Sequence, residues 1–112
     1  MNDHQIKLAT QKTLSEAIDA RMSIESLLAL QALPNAERSK AALQLSNLLL
    51  AHRKMTTIKI DEIRQELRSN ESELTLGIDK MKAAIAELDT IKKMISATTD
   101  FLKIVGRLVP LL

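Results

Sequence analysis

Residues 60–112 read IDEIRQELRSNESELTLGIDKMKAAIAELDTIKKMISATTDFLKIVGRLVPLL. Counting in sevens from Ile60 gives Leu67, Leu74, Met81, Leu88, Ile95, Leu102 and Val109, apolar at every step. The companion series is Ile63, Asn70, Gly77, Ala84, Ile91, Thr98, Val105 and Leu112, weakened by Asn, Gly, Ala and Thr. Together they form the a and d positions of a heptad. The pattern predicts one long helix over about 57–108 with a coiled-coil-like stripe. Such a helix of about 50 residues would be about 75 Å long.

Three places weaken that helix. Asn70-Glu71-Ser72-Glu73 has the form of a capping box, with Asn70 as cap and Glu73 reaching back. Gly77 costs about 1 kcal/mol relative to Ala inside a helix. Its more ordinary role is a weak point, and its sharper one is close helix approach. Residues 96–99 are poor in helix formers, and Pro110 should fray the end. A buried Asn70 would set register and partner number, whereas a break or a solvent-facing position is the plainer reading.

The stripe needs cover. As a parallel dimer, Glu66 would face Glu71 and repel, while Glu87 would face Lys92 and attract, so the charges do not specify that pairing. Ile78 and Ile85 widen the stripe on one side, and Met94, Phe101 and Leu108 on the other. A wide apolar arc implies contact with more than one helix. The candidates are the chain's own earlier helices, a second copy in a homo-oligomer, or another helical protein.

Upstream of the stripe, the first helix is expected over about 4–33, with Asp3 as cap and apolar positions at Leu14, Ala17, Ile18, Met22, Ile24, Leu28 and Ala32. Leu27, Leu30 and Leu33 widen that face. Pro34 ends it, because the residue before a proline is pushed out of helical geometry. A second helix is expected over about 35–55, capped by Asn35 and carrying Ala41, Leu45, Leu48, Leu49 and Met55. The order of His52, Arg53 and Lys54, then Thr56 and Thr57, then Asp61 and Glu62 suits one helix ending and the next beginning. One unbroken helix through this point is the alternative. The fold class is thus all-α: one domain over 1–112, built as an antiparallel bundle or helical hairpin of about three helices.

Composition agrees. Among 112 residues there are two Gly, two Pro, one Phe and no Trp, Tyr or Cys. Leu, Ala, Met, Lys, Glu and Gln are good helix formers. Without Cys there are no disulfides or thiolate metal sites. The 16 basic and 14 acidic residues are interleaved, as on a solvated helix surface rather than a nucleic-acid footprint. The isoelectric point of about 9.0 only hints at anionic partners. The polar start Met1-Asn2-Asp3-His4-Gln5 lacks a signal pattern, and no run approaches a membrane span. A cytoplasmic location is expected, with export that uses no cleaved signal left open.

No catalytic constellation emerges, and no cofactor is expected. His4 and His52 lack a Glu or His partner at helical spacing, so neither a di-iron nor a zincin motif is present. Glu62 and Glu66 share a face, but Arg64 and Arg68 beside them make a solvated charge network the simpler reading. Without aromatic interleaving, single-stranded nucleic acid would find no stacking platform. The chain is therefore expected to be a non-enzymatic interaction protein, without a small-molecule substrate, that self-associates or binds a partner protein through its stripe. The candidate contact residues are Leu67, Leu74, Met81, Leu88, Ile95, Phe101, Leu102, Val105, Leu108 and Val109. The alternative is a membrane-peripheral protein acting through 101–112, where Phe101, Leu102, Val105, Leu108, Val109 and Leu112 share one arc and Lys103 and Arg107 the other.

Overall fold

The structure, a computed structural model, describes residues 2–87 and 91–111. Its described residues form six helices and no strand: α1 (Asp3–Arg21), α2 (Ile24–Gln31), α3 (Asn35–Thr57), α4 (Ile60–Ser69), α5 (Glu71–Ala86) and α6 (Ile91–Val105). The all-α expectation holds, but the number of helices is six rather than about three.

The helix starts and stops obey local chemistry. Asn2, not Asp3, caps α1: its Oδ1 accepts from the Gln5 N–H at 2.8 Å, and Gln5 Oε1 accepts from the Asn2 N–H at 2.9 Å. The expected helix over 4–33 breaks at Met22-Ser23. Ser23 Oγ accepts from the Ser26 N–H and donates to the Ala20 carbonyl, so one hydroxyl serves the end of α1 and the start of α2. Pro34 takes the cap position of α3, with Asn35 as its first residue. The break between the second and third expected helices falls at Ile58-Lys59, yet Thr56 and Thr57 do not cap α4. Their hydroxyls donate backwards to the His52 and Arg53 carbonyls.

Among the described residues the expected long helix over 57–108 is three helices, and no coiled coil is seen. At Asn70 the side chain enters the backbone ladder, its Nδ2 donating to the Glu66 carbonyl at 2.8 Å. The backbone still bonds on both sides, from Asn70 N–H to Glu66 O and from Leu74 N–H to Asn70 O. The result is a one-residue interruption of the kind that kinks helices. The expected capping box is absent: Asn70 makes no side-chain cap bond, and Glu73 pairs with Arg107 at 2.7 Å instead. α5 then runs unbroken through Gly77, and α6 runs unbroken through residues 96–99 but stops at Val105, before 108.

α5 and α6 lie antiparallel. Glu73 near the start of α5 meets Arg107 just beyond α6, and Met81 Sδ meets Thr98 Oγ1 at 3.7 Å. α1 and α3 are also antiparallel, with Arg21 at the end of α1 bonded to Ala41 and Gln44 near the start of α3. α3 and α6 run the same way: Gln44 bonds to Ile95 and Thr99, and Lys54 Nζ donates to the Pro110 carbonyl. α1 and α6 each pack against both α3 and α5, closing a ring of four helices. α4 lies along α1, where Arg64 and Arg68 pair with Asp3. Ile6, Leu14, Leu48, Met55, Leu67 and Leu74 are buried in the core that these helices share. The longest dimension is 43 Å, well short of an extended helix of about 75 Å.

Candidate functional site

The described candidate contact residues are brought together, but within one chain. Leu67, Leu74, Met81, Phe101 and Val105 are 0% exposed, Val109 1%, Leu108 5% and Leu102 8%. Ile95 is half-buried. Leu88 lies outside the described residues, as does Leu112. Folding α6 back on α5 turns the two halves of the stripe towards a shared core. Each fully buried side chain of this kind contributes about 1.5–3 kcal/mol. The same burial occupies the apolar arc of residues 101–111.

The weak d positions have specific occupants. A Cβ at Gly77 would lie 3.0 Å from Phe101 Cδ1 and 3.4 Å from Ile104 Cδ1, so the missing side chain is the space that the Phe101 ring fills. Thr98 is fully buried, and its hydroxyl donates to the Met94 carbonyl at 2.6 Å while facing Arg21 and Met81. Asn70 Oδ1 accepts from Arg107 Nη1 at 3.3 Å.

Arg21 is the buried residue that the sequence pattern does not single out. The last residue of α1 is 1% exposed. Its Nη2 donates to Gln44 Oε1 at 2.6 Å and to Thr98 Oγ1 at 3.4 Å, and its Nη1 to the Ala41 carbonyl at 3.3 Å. Gln44 Nε2 passes the network on to the Ile95 carbonyl and Thr99 Oγ1, each at 2.9 Å. Among the described residues these partners are all neutral, and Nε has none. Desolvation pushes the guanidinium below its usual pKa, but arginine starts so high that it remains charged. Its hydrogen bonds reach from α1 to α3 and α6, and a buried charge without an ionic partner contributes little net stability. The sequence holds a weak signal: Arg21 interrupts an apolar stripe.

The exposed counterpart is α2. Ser26 is its buried residue, and that hydroxyl has no hydrogen-bond partner among the described residues. Ala29, Leu30 and Leu33 rest on a small second core containing Ala84, Ile91 and Met94. Meanwhile Met22 is 57% exposed, Ile24 74%, Leu27 46% and Leu28 62%. Ile24, Leu27 and Leu28 fall at helical spacing on one outward face.

An open groove of about 350 Å³ runs between α3 and α6, with Leu43, Leu102, Lys40 and Lys103 on its walls. The Thr99 hydroxyl there is held by Ile95 and Gln44. Among the described residues no three His, Asp or Glu side chains gather to hold a metal. Arg64 and Arg68 turn to other acids than the expected Glu62 and Glu66: Arg64 pairs with Asp61 at 2.7 Å and Arg68 with Asp3 at 3.2 Å. No described helix is long and apolar enough to cross a membrane. No protein-family model, curated protein or solved structure matches the chain, so its own residues carry the functional reading.

Proposed function

We propose that this chain is a non-enzymatic helical interaction protein whose contact surface is the outward face of α2 rather than the heptad stripe. The observation that carries the reading is the exposure of Met22, Ile24, Leu27 and Leu28 on one short segment. Clustered apolar side chains in water mark contact sites, whereas scattered ones do not. Most of the described stripe residues are buried within the chain's own fold. A membrane role through 101–112 would require the bundle to open first, because Phe101, Leu102, Val105, Leu108 and Val109 are buried.

The test is sedimentation at several concentrations together with pull-downs, using the native chain and Ile24→Glu/Leu28→Glu. Self-association or partner capture that the double change abolishes, with helicity retained, is the expected result. A native chain that stays monomeric and captures nothing, or an association indifferent to the α2 changes, overturns the proposal.

A further inference from the structure

Three of the four residues that weaken the d series, Asn70, Gly77 and Thr98, each have a partner that the folded-back chain brings to them. Gly77 makes room for Phe101 from the facing helix. Thr98 lies between Arg21 of α1 and Met81 of α5. Asn70 marks the boundary between α4 and α5, donates to the Glu66 carbonyl and accepts from Arg107 beyond α6. Phe101, Arg21, Met81 and Arg107 come from α6, α1, α5 and the segment beyond α6, whereas the Asn70–Glu66 bond is local, four residues back along the chain. In an extended helix paired with a second copy, the same residues would be liabilities. Gly77 would leave a gap and lower helix propensity, and Asn70 and Thr98 would bury polar groups in the seam.

The a series runs apolar and in phase from Ile60 to Val109, so it does not by itself disfavour the extended form. We infer that Asn70, Gly77 and Thr98 are a conformational selector, steering the stripe into this chain's own bundle and away from an elongated coiled assembly with a second copy. Sequences commonly hold off competing assemblies with a few polar or misfitting positions.

Two variants test the selector by small-angle scattering and circular dichroism beside the native chain: Asn70→Leu/Gly77→Leu/Thr98→Leu, and the milder Asn70→Leu/Gly77→Ala/Thr98→Val. The native particle is 43 Å in its longest direction, and an extended helix from residue 60 onward would be about 75 Å. The all-Leu variant is expected to keep its helicity and become elongated, growing by more than half in maximum dimension. The milder variant should give a mixture that shifts towards the elongated form as concentration rises. A compact all-Leu variant overturns the inference. So does loss of helicity in that variant while the milder one stays compact, because the three positions would then serve packing alone. Pairing through α2 would appear in all three chains alike, so the outcome is separate from the proposed contact surface.

Discussion

α6 and α2 are both apolar helical segments, and the fold treats them oppositely. α6 buries Ile91, Met94, Thr98, Phe101, Leu102 and Val105. α2 turns Ser26 inward and leaves Ile24, Leu27 and Leu28 in water. Apolar content does not explain the difference. α6 lies between α3 and α5 and is covered along its length. α2 is held at both ends, by the Ser23 hydroxyl and by the turn at Pro34, with Leu30 and Leu33 tucked against the bundle. Its orientation is set by those anchors. Where a helix is tethered by short connections, geometry decides which face meets the core and hydrophobicity has to follow.

Truncating one leucine in the core beneath α6 and one on the outward face of α2 gives the largest contrast. Leu74→Ala removes a fully buried side chain from the core that α6 covers and is expected to cost about 2–5 kcal/mol. Leu28→Ala should change the stability of the isolated chain by less than about 0.5 kcal/mol. Paired urea titrations check both, and equal losses would erase the distinction. Next comes the buried charge. Arg21→Met/Gln44→Leu replaces an uncompensated guanidinium and its main acceptor with apolar groups, and should raise stability by about 1–2 kcal/mol. A drop in the urea midpoint would show that the Arg21 network is net stabilising.

A smaller effect is expected at Gly77. Gly77→Ala gains about 1 kcal/mol of helix propensity but forces a 3.0 Å contact with the fully buried Phe101. Overpacking of that kind costs about 1–3 kcal/mol, so the melting temperature should fall modestly. A rise would mean the ring yields freely. The smallest change is expected at Glu73 and Arg107, a pair about half exposed on both sides. Arg107→Ala should cost under about 0.5 kcal/mol, less in high salt.

Much of the local structure is legible in the sequence. Pro34 ends a helical stretch, the basic–Thr–acidic order places a break near residue 58, and the heptad positions name most of the buried face. What the pattern hides is direction. A heptad stripe is the same string of residues whether the helix continues or doubles back, since each residue faces a core in both cases. Gly77 and Thr98 carry the information, but their partners Phe101 and Arg21 are 24 and 77 residues away. Ser23 is hidden because the apolar spacing around it stays helical on both sides. In the sequence the α2 face merges with the stripe of α1, and only the break at Met22-Ser23 turns it outward.

The doubling back of α6 on α5 underlies all of this and is directly measurable. The native chain has no cysteine, so Leu76→Cys/Lys103→Cys takes one pair of spin labels on two exposed positions across the α5–α6 groove. Dipolar spectroscopy, with labelled chains diluted in unlabelled ones, should report a single short separation, under about 25 Å, as two adjacent packed helices require. A separation of about 40 Å, the span of 27 residues in a continuous helix, would contradict the fold-back and return the heptad stripe to the outside of the molecule.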